Sequence, residues 1–492
     1  MHKTLLYIIL VFLFARKVGG QNPNAGLTLS LSNTTYLSSE EQLPFWMWAN
    51  QDGKVIESNS ILNLTQAGFW GKHEFTESVT FVALDANLLS GIGNEETYYQ
   101  ANELFAKLNI RNWELNAGLY ADDLEFDGLS STNGNLASSR NARPHPKIGF
   151  RIADYKPVPF LGNFIFFKAE YEEGILNDER YVDKTRLHHK SLYFRLKLSD
   201  NLAIHTGLEH FVMWGGTSKS EKIGELPHDF SDYLRYITGT HGDENFLETD
   251  QVNVAGNQYG TYQFLLTRDF SSFTLSLNIS HPFEDMSGLR FENYPDNLIG
   301  IDLKFKKKDQ VISHILYEYT HTTQQSLWQD TTHVYDENLG RWRAYHTDHY
   351  YSHGIYRSGA TYQQMMMASP FFSPLNVKDA YSLGPASNRF IAHHIGVKGQ
   401  LSPQVYWTGK LSYIEHKGDR MQPFDPEHRQ TSFLLYLKYV PKKVALDIHV
   451  AFTGDLLNTD ENRMGLEMGL CYSFIKREEK ARSRKSYLPW TK

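Results

Sequence analysis

The chain has 492 residues, with 49 basic against 56 acidic side chains, a net charge of −7 and 14% aromatic residues. A single cysteine, Cys471, excludes an intramolecular disulfide and most cysteine metal sites, and the acidic balance argues against nucleic acid as a partner. The length alone suggests two or three domains, but no Pro/Gly/Ser-rich linker divides the chain, so one large sheet is the simpler reading.

Residues 1–20 read as a secretory leader: Lys3, then an uncharged apolar run from Leu5 to Ala15, then small residues Val18 and Gly20 before a cut at Gln21. Eleven apolar residues ahead of Arg16 and Lys17 fall short of the ~20 that a membrane helix needs. No later run is longer, but this does not mean that the protein is soluble. Strands of a transmembrane barrel alternate lipid-facing with lumen-facing residues and average to a polar composition.

Such alternation recurs along the chain, over segments close to the length of a tilted membrane strand. Trp113, Leu115, Ala117 and Leu119 oppose Glu114, Asn116, Gly118 and Tyr120. Leu192, Phe194, Leu196 and Leu198 oppose Tyr193, Arg195 and Lys197. Between these strands and the next lies one expected helix: Pro227 sits at its first turn, and Phe230, Tyr233, Leu234 and Ile237 recur at helical spacing before Gly239. It reads either as a plug element at the barrel mouth or in the lumen, or as a surface-loop helix. Further on, Phe273, Leu275, Leu277 and Ile279 oppose Thr274, Ser276, Asn278 and Ser280, and Val444 to Phe452 oppose Ala445 to Thr453. The last strand is the cleanest, with Leu466, Met468, Leu470, Tyr472 and Phe474 against Gly465, Glu467, Gly469, Cys471 and Ser473. We count roughly sixteen to twenty such segments, and an even number is expected of a closed antiparallel barrel.

The polar faces separate a barrel from a secreted β-sandwich. They carry Gly, Ser, Asn and Thr beside isolated charges, which suits a lumen packed with loops rather than an open solvent face. The domain reading is therefore a leader over 1–20, a barrel with plug and extracellular loops over 21–474, and a basic tail over 475–492. That tail holds seven basic and two acidic residues. It reads as a solvated end or as a contact for periplasmic or export-machinery partners or anionic lipid.

Two constellations carry recognition chemistry. Glu284 and Asp285, followed by Gly288 and Arg290, form either a binding pair for sugar hydroxyls or a cation, or a turn held by Arg290. Residues 328–351 form the richest loop, with Trp328, Asp330, Tyr335, Trp342, Arg343, Asp348, Tyr350 and Tyr351. Aromatic rings beside acids and amides match the apolar C–H face and hydroxyl rim of a sugar; the same rings also suit a plug core or a girdle. His346 and His349, and the pairs His188–His189 and His393–His394, lack the converging ligands and second shell of a zinc site, so no metal and no cofactor is expected. No nucleophile triad, phosphate loop or dinucleotide motif stands out.

Several stretches, in order, resemble the Wzi-type capsule assembly proteins found in Bacteroidetes. They begin with Leu43-Pro44-Phe45-Trp46-Met47-Trp48-Ala49-Asn50-Gln51-Asp52-Gly53-Lys54-Val55 and Asn141-Ala142-Arg143-Pro144. Trp214-Gly215-Gly216, Leu226-Pro227, His281-Pro282-Phe283-Glu284-Asp285-Met286-Ser287-Gly288-Leu289-Arg290-Phe291 and Glu318-Tyr319-Thr320-His321 follow. Asp348-His349-Tyr350-Tyr351, Tyr356-Arg357-Ser358-Gly359 and Ser369-Pro370-Phe371-Phe372 complete the set. The resemblance runs from about residue 36 to 474. It implies an eighteen-stranded, plugged outer-membrane barrel that acts as a lectin for exported capsular or extracellular polysaccharide, and not an enzyme. Two departures stand out: Ala360 with Met365-Met366-Met367, read as a locally different surface, and the extension after Phe474. The competing functions are a diffusion channel for small solutes and an outer-membrane hydrolase.

Overall fold

The computed structural model describes residues 25–75, 79–284, 288, 290–326, 333–336, 341–344, 348–372, 384–420 and 422–476. The expected leader and the tail beyond Lys476 lie outside the described residues. Eighteen antiparallel strands form one sheet. In chain order they are β1 Ala25–Ser38, β2 Ile61–His73, β3 Val79–Gly93, β4 Thr97–Ile110, β5 Trp113–Leu119 and β6 Pro146–Pro157. Then come β7 Ile165–Leu176, β8 Thr185–Ser199, β9 Leu202–Trp214, β10 Asn257–Asp269, β11 Phe273–Phe283 and β12 Asn297–Phe305. The last six are β13 His314–His321, β14 Phe390–Ser402, β15 Val405–Gly418, β16 Pro423–Tyr439, β17 Leu446–Leu457 and β18 Arg463–Lys476. Each strand pairs with its sequence neighbours, and β1 pairs with both β2 and β18, from Thr28↔Lys476 to Ser38↔Gly465. The sheet is closed. Strand β18 continues two residues past Phe474, so the boundary expected there falls inside the wall.

The faces follow the alternation read from the sequence. Leu115, Phe150, Leu192, Phe194, Leu275, Ile301, Phe452, Met468 and Leu470 are exposed, while Glu114, Asn116, Ser276, Asn278, Asp302, Glu318 and Thr453 are buried toward the lumen. An apolar exterior over a polar interior is the reverse of a soluble fold, and it is what a wall standing in lipid requires. A closed wall has no free strand edge. Full-length protein from the envelope fraction is therefore expected to shift in gel mobility only after boiling; a constant mobility would count against the closed barrel.

The connections divide unevenly between the two ends. Those at the end holding the start of β1 and the end of β18 are short, including the two-residue turns 111–112, 200–201 and 403–404. All five long connections, 39–60, 120–145, 215–256, 284–296 and 322–389, lie at the opposite end, the arrangement of outer-membrane barrels whose long loops face outward from the cell.

Three short helices occur among the described residues: α1 Phe45–Trp48, α2 Phe230–Thr238 and α3 Glu248–Val252. The expected helix is α2. Its cap is Asp229, whose N–H donates to the Asp232 carboxylate (3.0 Å), and Gly239 closes it with φ +64°, a conformation that favours glycine. Pro227 lies ahead of the cap rather than in the first turn. The position of α2 also corrects the plug reading. It packs on the outside of the wall, its Tyr233 and Tyr236 against the outward ring of Trp214 at 4.9 and 5.7 Å. The upper lumen is filled instead by 39–60, 120–145 and 348–372, because these segments carry the apolar residues that bury one another.

Candidate functional site: the plugged outer mouth

The plug has a hydrophobic centre inside the barrel. Phe45 and Trp46 of α1 meet Phe371 (ring centroids 5.6 and 6.5 Å), Tyr351 meets Phe372 (4.7 Å) and the wall residue Tyr259 (5.5 Å), and Phe372 meets the wall residue Phe390 (4.9 Å). Leu136, Ile355, Tyr356, Ala360, Tyr362 and Met366 join the same cluster. The departure at Ala360 and Met366 is thus interior packing, since both are buried, and not the altered surface expected from the sequence.

Polar anchors tie this core to the wall. Asp455 accepts the Phe45 N–H at the start of α1 (2.9 Å) and the Ser432 hydroxyl (2.6 Å). Asp52 takes Arg140 in a two-pronged ion pair (2.7 and 2.6 Å), joining loops 39–60 and 120–145. Burial opposes charge on Asp52, but Arg140 and then Lys54 outweigh it and hold the carboxyl below its usual range. Beside it, Gly53 has φ +61°, and a Cβ there would stand 2.6 Å from the Arg143 backbone nitrogen. The Asp-Gly pair of the first motif is explained by that contact.

Segment 122–138 crosses the lumen. Starting from β5, it bonds Asn135 to Glu209 of β9 (2.7 Å) and to Thr261 of β10 (2.9 Å), and takes Asn278 and Ser280 of β11 onto Gly134 and Leu136. Glu318 of β13 accepts Ser130 Oγ (2.6 Å), Ser131 N (2.8 Å) and Ser131 Oγ (2.6 Å), and His394 of β14 bonds the Leu129 carbonyl (2.8 Å). At its lowest point Asp127 faces Lys304 (2.7 Å), His314 (3.0 Å) and Lys398 (3.4 Å). Burial raises the Asp127 carboxyl pKa, yet the His314 hydrogen bond and the two lysines more than offset this and bring it far below the ordinary range. Strands β5 and β14 are half a circuit apart in an eighteen-stranded barrel, so the segment is a crossbar. Beneath it a cavity of about 450 Å³, lined by Lys107, Arg151, Glu170, Tyr193 and Glu209, extends to Glu74 at the short-turn end.

Loop 322–389 is pinned at its root by Asp296. This fully buried carboxylate accepts Gln324 N (2.9 Å), Gln325 N (2.8 Å), the Tyr350 hydroxyl (2.7 Å) and His321 (2.7 Å).

The residues expected to bind sugar separate into three groups. Trp328, Asp330 and Asp285 lie outside the described residues. Trp342 and Arg343 belong to a small ribbon, Arg341–Ala344 paired with His333–Asp336, in which Trp342 is opposite Tyr335. The remainder, Arg290 apart, are structural. Tyr350 and Tyr351 are 0% and 1% exposed, so neither offers a free ring face, and Asp348 is buried against Ser326 Oγ (2.6 Å). Burial, and then the Asp296 charge, raise the Tyr350 hydroxyl pKa well above normal. Glu284 accepts the Tyr351 backbone N–H, while Arg290 is exposed and 4.0 Å from Glu292, so the expected Glu284–Arg290 staple is replaced by a loop-to-plug bond. The histidine pairs are split across the wall: His188 faces out beside Glu173 and His189 in beside Glu172, while His393 faces out toward Tyr317 and His394 in. Neighbouring strand residues point to opposite faces, so neither pair can converge on one ion.

The family model of the capsule assembly protein Wzi matches residues 47–377. The chain belongs to the Wzi capsule assembly family. It is an outer-membrane barrel of eighteen strands, as the resemblance in its motifs implied. Among solved structures it is similar to Escherichia coli Wzi, described as an outer membrane protein involved in group 1 capsule assembly and a carbohydrate-binding β-barrel. That likeness has a TM-score of 0.56 at 13% identity over 91% of this chain and 85% of that one. Two Pseudomonas aeruginosa barrels also match: OccK5 (TM-score 0.47, 11% identity, 92% and 98% covered) and OprD (TM-score 0.46, 10% identity, 92% and 96% covered). No curated protein matches significantly. The Wzi family match begins within α1, at Met47, and covers the crossbar and residues 348–372, which build most of the plug.

Proposed function

We propose that this protein binds exported capsular or extracellular polysaccharide at its outer face and holds it to the cell, without transforming it. The observation that carries this reading is the plug: loops that in an open barrel would line a passage are here buried in the lumen and anchored by Asp455, Glu318, Asp296 and Asp127. A filled mouth suits a fixed docking surface better than a conduit. The carbohydrate binding described for Escherichia coli Wzi supports the same reading.

Trp342 and Arg343, on the ribbon 333–336/341–344, are the contacts we assign to sugar; Trp328, Asp330, Asp285 and Arg290 extend the set. An aromatic ring stacked on a sugar in a desolvated contact contributes on the order of 1–3 kcal/mol. One such contact is weak, but a repeating polymer engaging many copies is retained by multivalency. In this reading residues 1–20 are removed on export, and the basic end after β18 meets periplasmic partners.

Deletion of the gene is expected to leave total polysaccharide near normal while moving it from the cell-bound to the released fraction. Trp342→Ala in an otherwise intact barrel should give a partial form of the same shift and weaker binding of the purified protein to the cell's own polymer. A collapse of total polymer would place the protein in synthesis or export instead. Parent-like binding by Trp342→Ala would remove the ribbon from the site.

A further inference from the structure

On β7 to β10 the lipid-side face near the outer end is polar. Glu173 pairs with His188 in register, Tyr171 with Lys190, and Val212 with Gln258, all on the face shared by the exposed Ile148, Leu192 and Ile175. Loop 215–256 covers this patch from outside. Lys190 Nζ donates to the Ile237 carbonyl at the end of α2, and Tyr233 donates to Glu173. Gln258 donates to the carbonyls of Tyr236 (3.2 Å) and Ala255 (2.7 Å). The exposed side of α2 carries two large apolar residues beside Ser231 and Thr238: Phe230 is 75% exposed and Leu234, one turn on, 43%. Next to it, residues 290–296 also fold over the outer rim. Phe291 stacks on the outward rings of Tyr262 (5.1 Å) and His281 (4.5 Å) while staying half exposed, and Tyr294 is 64% exposed.

We propose that α2 and residues 290–296 form a lipid-seated collar, with Phe230, Leu234, Phe291 and Tyr294 entering the outer leaflet at the boundary between headgroups and acyl chains. The occupant follows from continuity. Phe230 adjoins Ile148 and Ile175, which already belong to the lipid-facing band: the gap between helix and wall is lined by these three with Tyr233. Polar side chains cannot face hydrocarbon without partners, and the loop supplies those partners while presenting its own apolar face in their place. Aromatic rings and short amphipathic helices favour that depth, and the exposed side chain of Arg186 is suited to the phosphate-bearing headgroups of the leaflet. The collar is independent of sugar binding, so either reading can fail without the other.

The test uses full-length protein in phosphatidylcholine vesicles, with the native thiol removed by Cys471→Ser. A depth-sensitive fluorophore is attached to Leu234→Cys, Phe291→Cys, Leu470→Cys (wall) or Gln364→Cys (hairpin tip of the plug, exposed to water). Lipids brominated near the headgroup end of the chain are expected to quench positions 234 and 291 about twofold more than position 364. Lipids brominated near the chain ends should quench position 470 best. Labels at 234 and 291 that match 364, with strong quenching by aqueous iodide, would overturn the collar. So would disulfide-linked dimers through Leu234→Cys that exclude bromolipid, since a second copy would then occupy the face. Each variant is read only after its boiling-dependent gel shift confirms the barrel, and the two positions serve as separate tests.

Discussion

Replacing residues 122–138 with a short glycine–serine link is expected to convert a nearly silent barrel into one that conducts ions in planar bilayers in porin-like steps. The segment leaves the wall at β5 and is bonded through to β14, half-way round, with further bonds to β9, β10, β11 and β13 on the way. Barrels of sixteen to eighteen strands enclose an aqueous channel unless something fills it. The parent protein should therefore pass little current, and the deletion should raise it by at least an order of magnitude. The wall does not depend on the crossbar for its strand pairing, so the boiling-dependent gel shift should persist. A deletion variant that folds yet stays silent would mean that 39–60 and 322–389 seal the barrel by themselves. Steady porin-like current from the parent would revive the diffusion-channel reading.

Asp296→Ala is expected to free loop 322–389 while the wall stays folded. The substitution removes the acceptor shared by four donors, those of the buried Gln325 and Tyr350 and the half-buried Gln324 and His321. Removing one side of a buried, fully bonded charge cluster costs about 3–5 kcal/mol, comparable to the whole stability of many local units. The readout is limited proteolysis of intact protein in detergent. Cleavage within 322–389 should become rapid in the variant and remain slow in the parent, with the gel shift unchanged. Asp296→Asn should lie between them, because an amide keeps the volume and part of the accepting capacity but loses the charge. Equal cleavage of parent and Asp296→Ala would show that the aromatic cluster around Tyr351 and Phe372 holds the loop without its root.

The same buried groups mark how far the sequence could be read. Alternation at 113–119, 192–198, 273–280, 446–452 and 466–474 gave the wall and the correct faces, since a period of two reports which side of a strand meets lipid. It also exposed an acidic, aromatic loop set. What it could not give was where each loop goes. Tyr350 and Tyr351 look like a sugar platform in sequence and are interior in the structure, because a ring bonded to Asp296 or the Leu136 carbonyl has the same one-dimensional signature as a ring facing water. The helical spacing of Phe230, Tyr233, Leu234 and Ile237 was legible, but not that its tyrosine side would cap polar residues outside the wall. Glu318 lies within one of the family-like motifs, and Asp296 and Asp455 lie in none; an acid within or beside a strand is the only local sign they carry.

The sequence by itself therefore determined the strands, their faces, the closed antiparallel class and, through its motifs, the family, because these depend on local periodicity and short runs of residues. Only the tertiary structure decided which loops enter the lumen, which wrap the rim, and which carboxylates anchor the plug. Those outcomes depend on contacts between residues far apart in the chain, such as Phe45 with Asp455, 410 positions away, whose energy exists only once the barrel has closed and brought both sides of the lumen together.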